Sequence, residues 1–301
     1  MLKIAYHPIY KHPLPDGHRF PMLKYELLPK QLIHEGTCTE ANFFEPKMPD
    51  ENHILTVHDK EYVENLKSLS LDRSAVRKIG FPLSEALVQR EFIIADGTIK
   101  GCHHALENGI AFNIAGGTHH AYSDHGEAFC MFNDQAIGAR YLLNKAFAKK
   151  ILIVDLDVHQ GNGTAEIFQN DDKIFTFSMH GAGNYPFKKE TSDLDIAVPD
   201  GSGDEVYLGL LKETLPQLII KDVKPDFIFY LSGVDILESD KLGRLSCSVE
   251  GCKERDRFCL SLFRESEIPV QCSMGGGYSP DIKVIVEAHA NTYRLAQEVY
   301  F

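Results

Sequence analysis

Apolar residues along this 301-residue chain fall into two alternating kinds of segment. The first kind is a short continuous run: Leu2–Tyr6, Ile110–Ala115, Ile151–Val154, Ile174–Phe177, Phe227–Leu231 and Val270–Ser273. Bounded by Gly, Pro or polar residues, such runs read as strands buried on both faces of a sheet. The second kind repeats at helical spacing. It covers Asp59–Leu69 with Asp59 as N-cap, Asp134–Phe147, a turn at Ala165–Phe168, Glu205–Ile220, Val249–Phe263 and Ile282–Gln297. His18–His34 has a rougher helical period, broken by Pro21 and Pro29, and Leu83–Leu106 reads as one or two helices interrupted at Gly97. Cys38–Asn52 and His180–Asp204 read as loops. The second is long and rich in Gly and Pro, and loops of that length are usually functional or mobile. Strands and helices alternate with no linker, repeat or low-complexity stretch. The pattern predicts one α/β domain over residues 1–301, a three-layer arrangement with a mostly parallel central sheet and helices on both faces.

Bulk composition narrows the function. The formal net charge is -12 and the pI about 5.6, which argues against a nucleic-acid or anionic-membrane binder because both need basic surface. Seven cysteines at irregular spacing, with no C-x-x-C, predict buried thiols in a reducing cytoplasm rather than disulfides or a zinc ribbon. The N-terminus starts a strand directly, so no signal peptide is expected. No apolar run approaches the roughly 18–20 residues of a membrane span.

The candidate chemistry gathers at strand ends. Asp155-Leu156-Asp157-Val158-His159 follows the strand at Ile151–Val154, and open α/β sheets form ligand crevices outside the C-terminal ends of their strands. Side chains alternate along a strand, so Asp155, Asp157 and His159 share one face. Two carboxylates and an imidazole suit a hard or borderline divalent metal, zinc above all. Taken alone, the motif reads equally well as a strand end with solvated acids. The next residues, Gln160-Gly161-Asn162-Gly163, read as a tight turn in which glycine supplies unusual dihedrals. Gly116-Gly117-Thr118-His119-His120 follows Ile110–Ala115 and puts two potential proton carriers on the same rim. Asp235 follows Phe227–Leu231, as a third protein ligand or as a helix cap. Met274-Gly275-Gly276-Gly277-Tyr278 follows Val270–Ser273, where Gly276 and Gly277 permit close backbone approach and Tyr278 offers a hydroxyl. Four such motifs, each after its own strand, are improbable as coincidence.

Together these stretches resemble the zinc-dependent histone deacetylase family. The resemblance includes Phe129-Cys130 and Asp240, Leu242 and Gly243, and runs most clearly from about residue 75 to the end. His159-Gln160-Gly161-Asn162-Gly163 and Asp235-Ile236-Leu237-Glu238 are most similar to class IV. The resemblance implies an arginase/deacetylase-like fold and one Zn2+ per chain bound by Asp157, His159 and Asp235. It implies His119 and His120 as the catalytic pair, with His120 as base and then acid, Tyr278 on the oxyanion, and Asp155 orienting His119. It also implies a K+ or Na+ site at Asp155, Asp157, His159, Ser178 and Met179. Phe129 and Tyr185 would line the substrate channel, and Arg19 an internal exit cavity. Asn162 stands where the class I pattern has an aspartate supporting the second histidine.

The implied substrate is an acyl-lysine protein or peptide, acetyl or longer, since class IV relatives are associated with removing fatty acyl groups. Alternatives are a small-molecule amidohydrolase acting on acetylpolyamines, a non-catalytic zinc-binding reader of acyl-lysine, and a two-metal hydrolase of the arginase type. The polyamine enzymes tend to carry a loop insertion that this chain lacks, and after Asp235 no aspartate follows two positions on, as the two-metal type requires. A compact acidic chain without a long tail suggests a bacterial cytoplasmic enzyme with no obligate partner.

Overall fold

The computed structural model describes all residues 1–301. Its strands are β1 (Lys3–Ala5), β2 (Phe43–Phe44), β3 (Ile110–Asn113), β4 (Ile151–Asp155), β5 (Ile174–Gly181), β6 (Leu194–Val198), β7 (Phe227–Leu231) and β8 (Val270–Ser273). They form one sheet in the order β2-β1-β3-β8-β7-β4-β5-β6, and every neighbouring pair is parallel. The helices are α1 (Lys24–His34), α2 (Glu51–Ile54), α3 (Lys60–Lys67), α4 (Arg73–Ile79), α5 (Glu85–Asn108), α6 (Asp134–Asn144), α7 (Asn162–Phe168), α8 (Asp204–Gln217), α9 (Val249–Glu265) and α10 (Ile282–Tyr300).

Alternation along the strands explains the three layers. On β7, Phe229 faces α6, where a Cβ on Gly138 would lie 2.9 Å from its ring. Its neighbour Tyr230 points the other way and packs on Phe263 of α9 at 5.7 Å between centroids. On β3, Phe112 stacks on Tyr293 of α10 at 4.4 Å, while Asn113 donates to Ile94 O and Thr98 Oγ1 of α5. Both faces of the central strands are therefore dry, which is why they read as continuous apolar runs. No helix is long and apolar enough to cross a membrane.

Four details differ from the sequence-based reading. Gly97 does not interrupt α5, which runs unbroken from its Ser84 cap to Gly109. A Cβ on Gly97 would sit 2.6 Å from Tyr10 Oη and 2.8 Å from Asn113 Nδ2, so the glycine lets α5 lie close on the sheet. Pro29 lies inside α1, forgoing one backbone bond while Tyr25, Leu28 and Leu32 anchor the helix in the core. The stretches read as loops hold two edge strands: β2 lies in Cys38–Asn52 and β6 in His180–Asp204, where β5 also continues to Gly181. Both edges are only half-buried, and so lack a clean apolar pattern. Finally, Asn162 and Gly163 open α7, and Gly161 has an ordinary φ of -72°. Gly161 serves space rather than dihedral freedom, because a Cβ there would lie 2.3 Å from Asp155 Oδ2.

Candidate active site at the sheet rim

Strand register brings the motifs together. Asn113 of β3 pairs with Ser273 of β8, Ser273 with Leu231 of β7, Leu231 with Asp155 of β4, and Asp155 with Ser178 of β5. Four adjacent strands, β3, β8, β7 and β4, thus end on one line, which β5 crosses at Ser178 on its way to Gly181. The loops after the four carry His119 and His120, Tyr278, Asp235, and Asp157 with His159, while Met179 follows Ser178 on β5.

Asp157, His159 and Asp235 are buried, and their ligand atoms all lie within 4.8 Å of one another. They are the one group of three or more His, Cys, Asp or Glu side chains in such reach. His159 Nδ1 is 3.0 Å from Asp157 Oδ1 and 3.2 Å from Asp235 Oδ2. Backbone donors take the outer oxygens: Gly276 N–H bonds Asp157 Oδ2 at 2.8 Å, and Val158 N–H bonds Asp235 Oδ1 at 3.0 Å. Burial and the nearby Asp157 push Asp235 up to about 7. Burial disfavours charge on His159, but its bonds to the two carboxylates outweigh this and hold it up at about 10. Two crowded buried carboxylates with a single imidazole call for a cation, and this donor set fits zinc with a coordination position left open. The backbone cradle leaves no slack, since a Cβ on Gly276 would fall 2.0 Å from Asp235 Oδ2.

The two histidines sit side by side, 4.1 Å between ring centroids, and their partners differ. His119 Nδ1–H donates to Asp155 Oδ2 at 2.6 Å. His120 Nδ1–H donates to Asn162 Oδ1 at 2.5 Å. The Asn162 amide can face only one way, because its Nδ2 donates to Tyr122 Oη at 3.0 Å and to the Glu127 carboxylate at 3.5 Å. This fixes the proton of neutral His120 on Nδ1 and leaves the Nε2 lone pair free. Burial opposes charge on both rings. For His119 the carboxylates of Asp155 and Asp157 outweigh it and raise the pKa, whereas for His120 the neighbours His119 and His159 add to it and keep the ring neutral.

Two cavities meet at this point. An outer one of about 330 Å³ opens to solvent past Tyr185, Phe187 and Leu242. An inner one of about 40 Å³ runs past Gly116 and Gly117 to Tyr25, Arg90 and Cys130. His120, Phe129, His159 and Tyr278 line both. Phe129 holds a left-handed φ of 71° and is pinned by its N–H to Ile79 O at 2.7 Å, strain of the sort kept at functional sites. Tyr185 sets its ring edge-on to His120 at 5.1 Å and donates its hydroxyl to Glu127. Burial raises the Tyr278 pKa, so its hydroxyl stays a proton donor. Gly277 has a φ of 154° next to Tyr278. Ser178 and Asp155 are register partners, with Ser178 Oγ 3.0 Å from His180 Nδ1, and buried Met179 pairs with Ile196.

Arg19 is not in the inner cavity. It is exposed on the outer one, and the inner cation is Arg90. Several residues take supporting roles that the sequence reading did not assign. Asp134, at the start of α6, accepts from Gly117 N, Thr118 N and Thr118 Oγ1 and so shapes the histidine loop. Asp240 accepts from Tyr278 N at 2.6 Å and from Leu242 and Gly243 N, tying two rim loops together. Arg255, buried in α9, donates to Ser232 O and Gly233 O ahead of Asp235. Lys24, wholly buried, donates to Gly275 O at 3.2 Å. An acid in the first turn of α6 was a local signal for Asp134. Arg255 and Lys24 sit in helical segments where they resemble surface cations.

Over residues 18–293 the chain matches the histone deacetylase domain, and it belongs to that family. It is 43% identical over 297 residues to an uncharacterized protein of Picosynechococcus, covering 99% of both chains. It is 30% identical to histone deacetylase 2 of Arabidopsis thaliana, covering 92% of this chain and 74% of that one. Its fold matches the crystal structure of a histone deacetylase homologue from Aquifex aeolicus with a TM-score of 0.82 at 22% identity, over 98% of this chain and 84% of the other. Membership makes the chain a hydrolase with an arginase/deacetylase-like α/β fold.

Proposed function

We propose that this protein is a zinc-dependent lysine deacylase that favours acetyl over long acyl groups. The reading is carried by one juxtaposition: the Asp157–His159–Asp235 cluster and the His119–His120 pair stand together where the outer cavity meets the inner one. Zinc held by those three ligands would supply Lewis acidity toward the scissile carbonyl and the attacking water. His120 takes the water proton on Nε2 as the water oxygen bonds to the carbonyl carbon. Tyr278 donates a hydrogen bond to the developing oxyanion. The proton then passes from His120 to the lysine nitrogen as the C–N bond breaks, leaving a free amine and a carboxylic acid. His119, tied to Asp155, keeps a positive field beside the oxyanion.

Lysine reaches the amide through the outer cavity, past Phe129 and Tyr185, so the acyl tail enters the inner one. At about 40 Å³ that space is a few times the roughly 10–15 Å³ that one water needs, room for an acetyl methyl and too little for a long chain. The same reading includes class IV membership, supported by the residues around His159 and Asp235, and a bacterial cytoplasmic setting. The last is supported by the Picosynechococcus relative and by seven free, buried cysteines. It also includes a K+ or Na+ at Asp155 and its register partner Ser178.

The test is acid release from matched lysine peptides carrying acetyl, octanoyl or myristoyl groups, with wild type and Tyr278→Phe, with and without a chelator. Release that needs zinc and Tyr278 and falls with chain length is expected. Equal release of myristate would refute the acyl-length assignment, and no release from any peptide would refute the deacylase. Acetylpolyamines would then distinguish a small-molecule amidohydrolase from a reader.

A further inference from the structure

We propose that the mouth of this site selects substrates bearing a carboxylate near the acylated amine, as an acyl-lysine flanked by Asp or Glu does, with Arg19 as the specificity-determining residue. The inference rests on the deacylase reading above and extends it to the surroundings of the amide.

The charge at the mouth runs against that of the whole molecule. On a chain of net charge -12, the outer cavity is lined by three cations, Arg19, Lys78 and Arg244, and by no carboxylate. Two of the three are compensated from behind: Lys78 lies 3.6 Å from Glu127, and Arg244 3.3 Å from Asp200. Arg19 has no carboxylate in reach. Its guanidinium lies over the ring of Phe129, 5.0 Å from the centroid, which holds it at the lip of the channel. Its forked N–H donors are thus presented to whatever enters, and a carboxylate is the group that such a fork binds in two-point fashion.

Across the same opening stands Phe187, 85% exposed, which offers an apolar contact for the rest of the substrate. When the acyl-lysine side chain threads past Phe129, the atoms left at the lip are the lysine's own backbone and its neighbours. They are what Arg19 meets. A second ammonium, as in an acylated polyamine, would meet an uncompensated like charge instead. The required carboxylate has two sources, an acidic peptide flank or the free α-carboxylate of a small acyl-amino acid.

The test uses acetyl-lysine peptides that differ only in flanking Asp or Lys residues, with wild type, Arg19→Glu, and Tyr278→Phe as a binding-only form. Nε-acetyl-lysine is compared with its α-amide to separate the small-molecule source. Wild type should favour the Asp-flanked peptide by about three- to fivefold in kcat/KM, the size of one exposed ion pair. The ratio should shrink as salt is raised and invert in Arg19→Glu. A preference for the free acid over the amide that exceeds the peptide preference would assign the small-molecule source. Equal handling of both flanks by wild type, or a preference unchanged in Arg19→Glu, would overturn the proposal. Fluorescence anisotropy of Tyr278→Phe with the same peptides separates the two readings. Charge-selective binding without acid release would uphold the mouth and refute the deacylase; release without charge preference would do the reverse.

Discussion

Replacing Lys24 with methionine should flatten the dependence of stability on alkaline pH. Lys24 opens α1 and is wholly buried. Its ammonium meets only the Gly275 carbonyl at 3.2 Å and the faces of Phe20, Tyr25 and Tyr278 at 5.3–5.5 Å. Burial is the largest influence and pulls its pKa from 10.5 down to about 8, against the attraction of Asp235 and Asp157. Between those two values the unfolded chain still holds a proton that the folded chain has released, so stability rises with pH across that window. The gap corresponds to about 3 kcal/mol at 1.36 kcal/mol per pKa unit. Below pH 8 the folded protein carries that whole cost. Methionine is of similar length, has no charge to desolvate, and removes the slope. Urea unfolding of both proteins from pH 7 to 10 reads it directly. The stability of Lys24→Met relative to wild type should fall by about 2–3 kcal/mol over that range, whatever the offset at pH 7 from the lost Gly275 bond. Parallel curves would refute the reasoning, showing that Lys24 keeps in the folded chain the pKa it has in the unfolded one.

Three further outcomes follow from the site. Asn162→Asp puts a carboxylate against His120 Nδ1, which raises the His120 pKa; since the base must be neutral, the acidic limb of the pH–rate profile should move up by about one to two units. Glu127, 3.5 Å from Asn162 Nδ2, would oppose that new charge, so the shift should be larger in Asn162→Asp with Glu127→Gln, and an unmoved limb in both rules out the coupling. Gly276→Ala drives a methyl to within 2.0 Å of Asp235 Oδ2 and should weaken zinc binding by about tenfold or more, read by competition with a chromophoric chelator. Asp155→Asn removes the carboxylate that holds His119, and kcat should drop by about 10- to 100-fold with KM little changed, measured in steady state.

What was legible from residue order alone was the part governed by local periodicity. Buried strands leave continuous apolar runs, so β3, β4, β7 and β8 could be placed almost to the residue. The chemistry-bearing motifs could be assigned to loops after strands because each run stops where its polar residues begin. Sequence alone also carried the family resemblance, since Asp155–Gly163 and the glycine run before Tyr278 are specific strings. Tertiary structure decided what depends on contacts between distant segments. Edge strands β2 and β6 bury only part of their side chains, so no apolar pattern marks them. The common rim arises from register between strands that lie far apart in the chain, which brings Asp235 to His159. Whether a cation is buried is likewise a tertiary matter: Lys24 and Arg19, five positions apart, share one local composition. One lies beneath the glycine loop and the other stands open at the mouth, because α1 packs one of them against the core and leaves the other beyond its end.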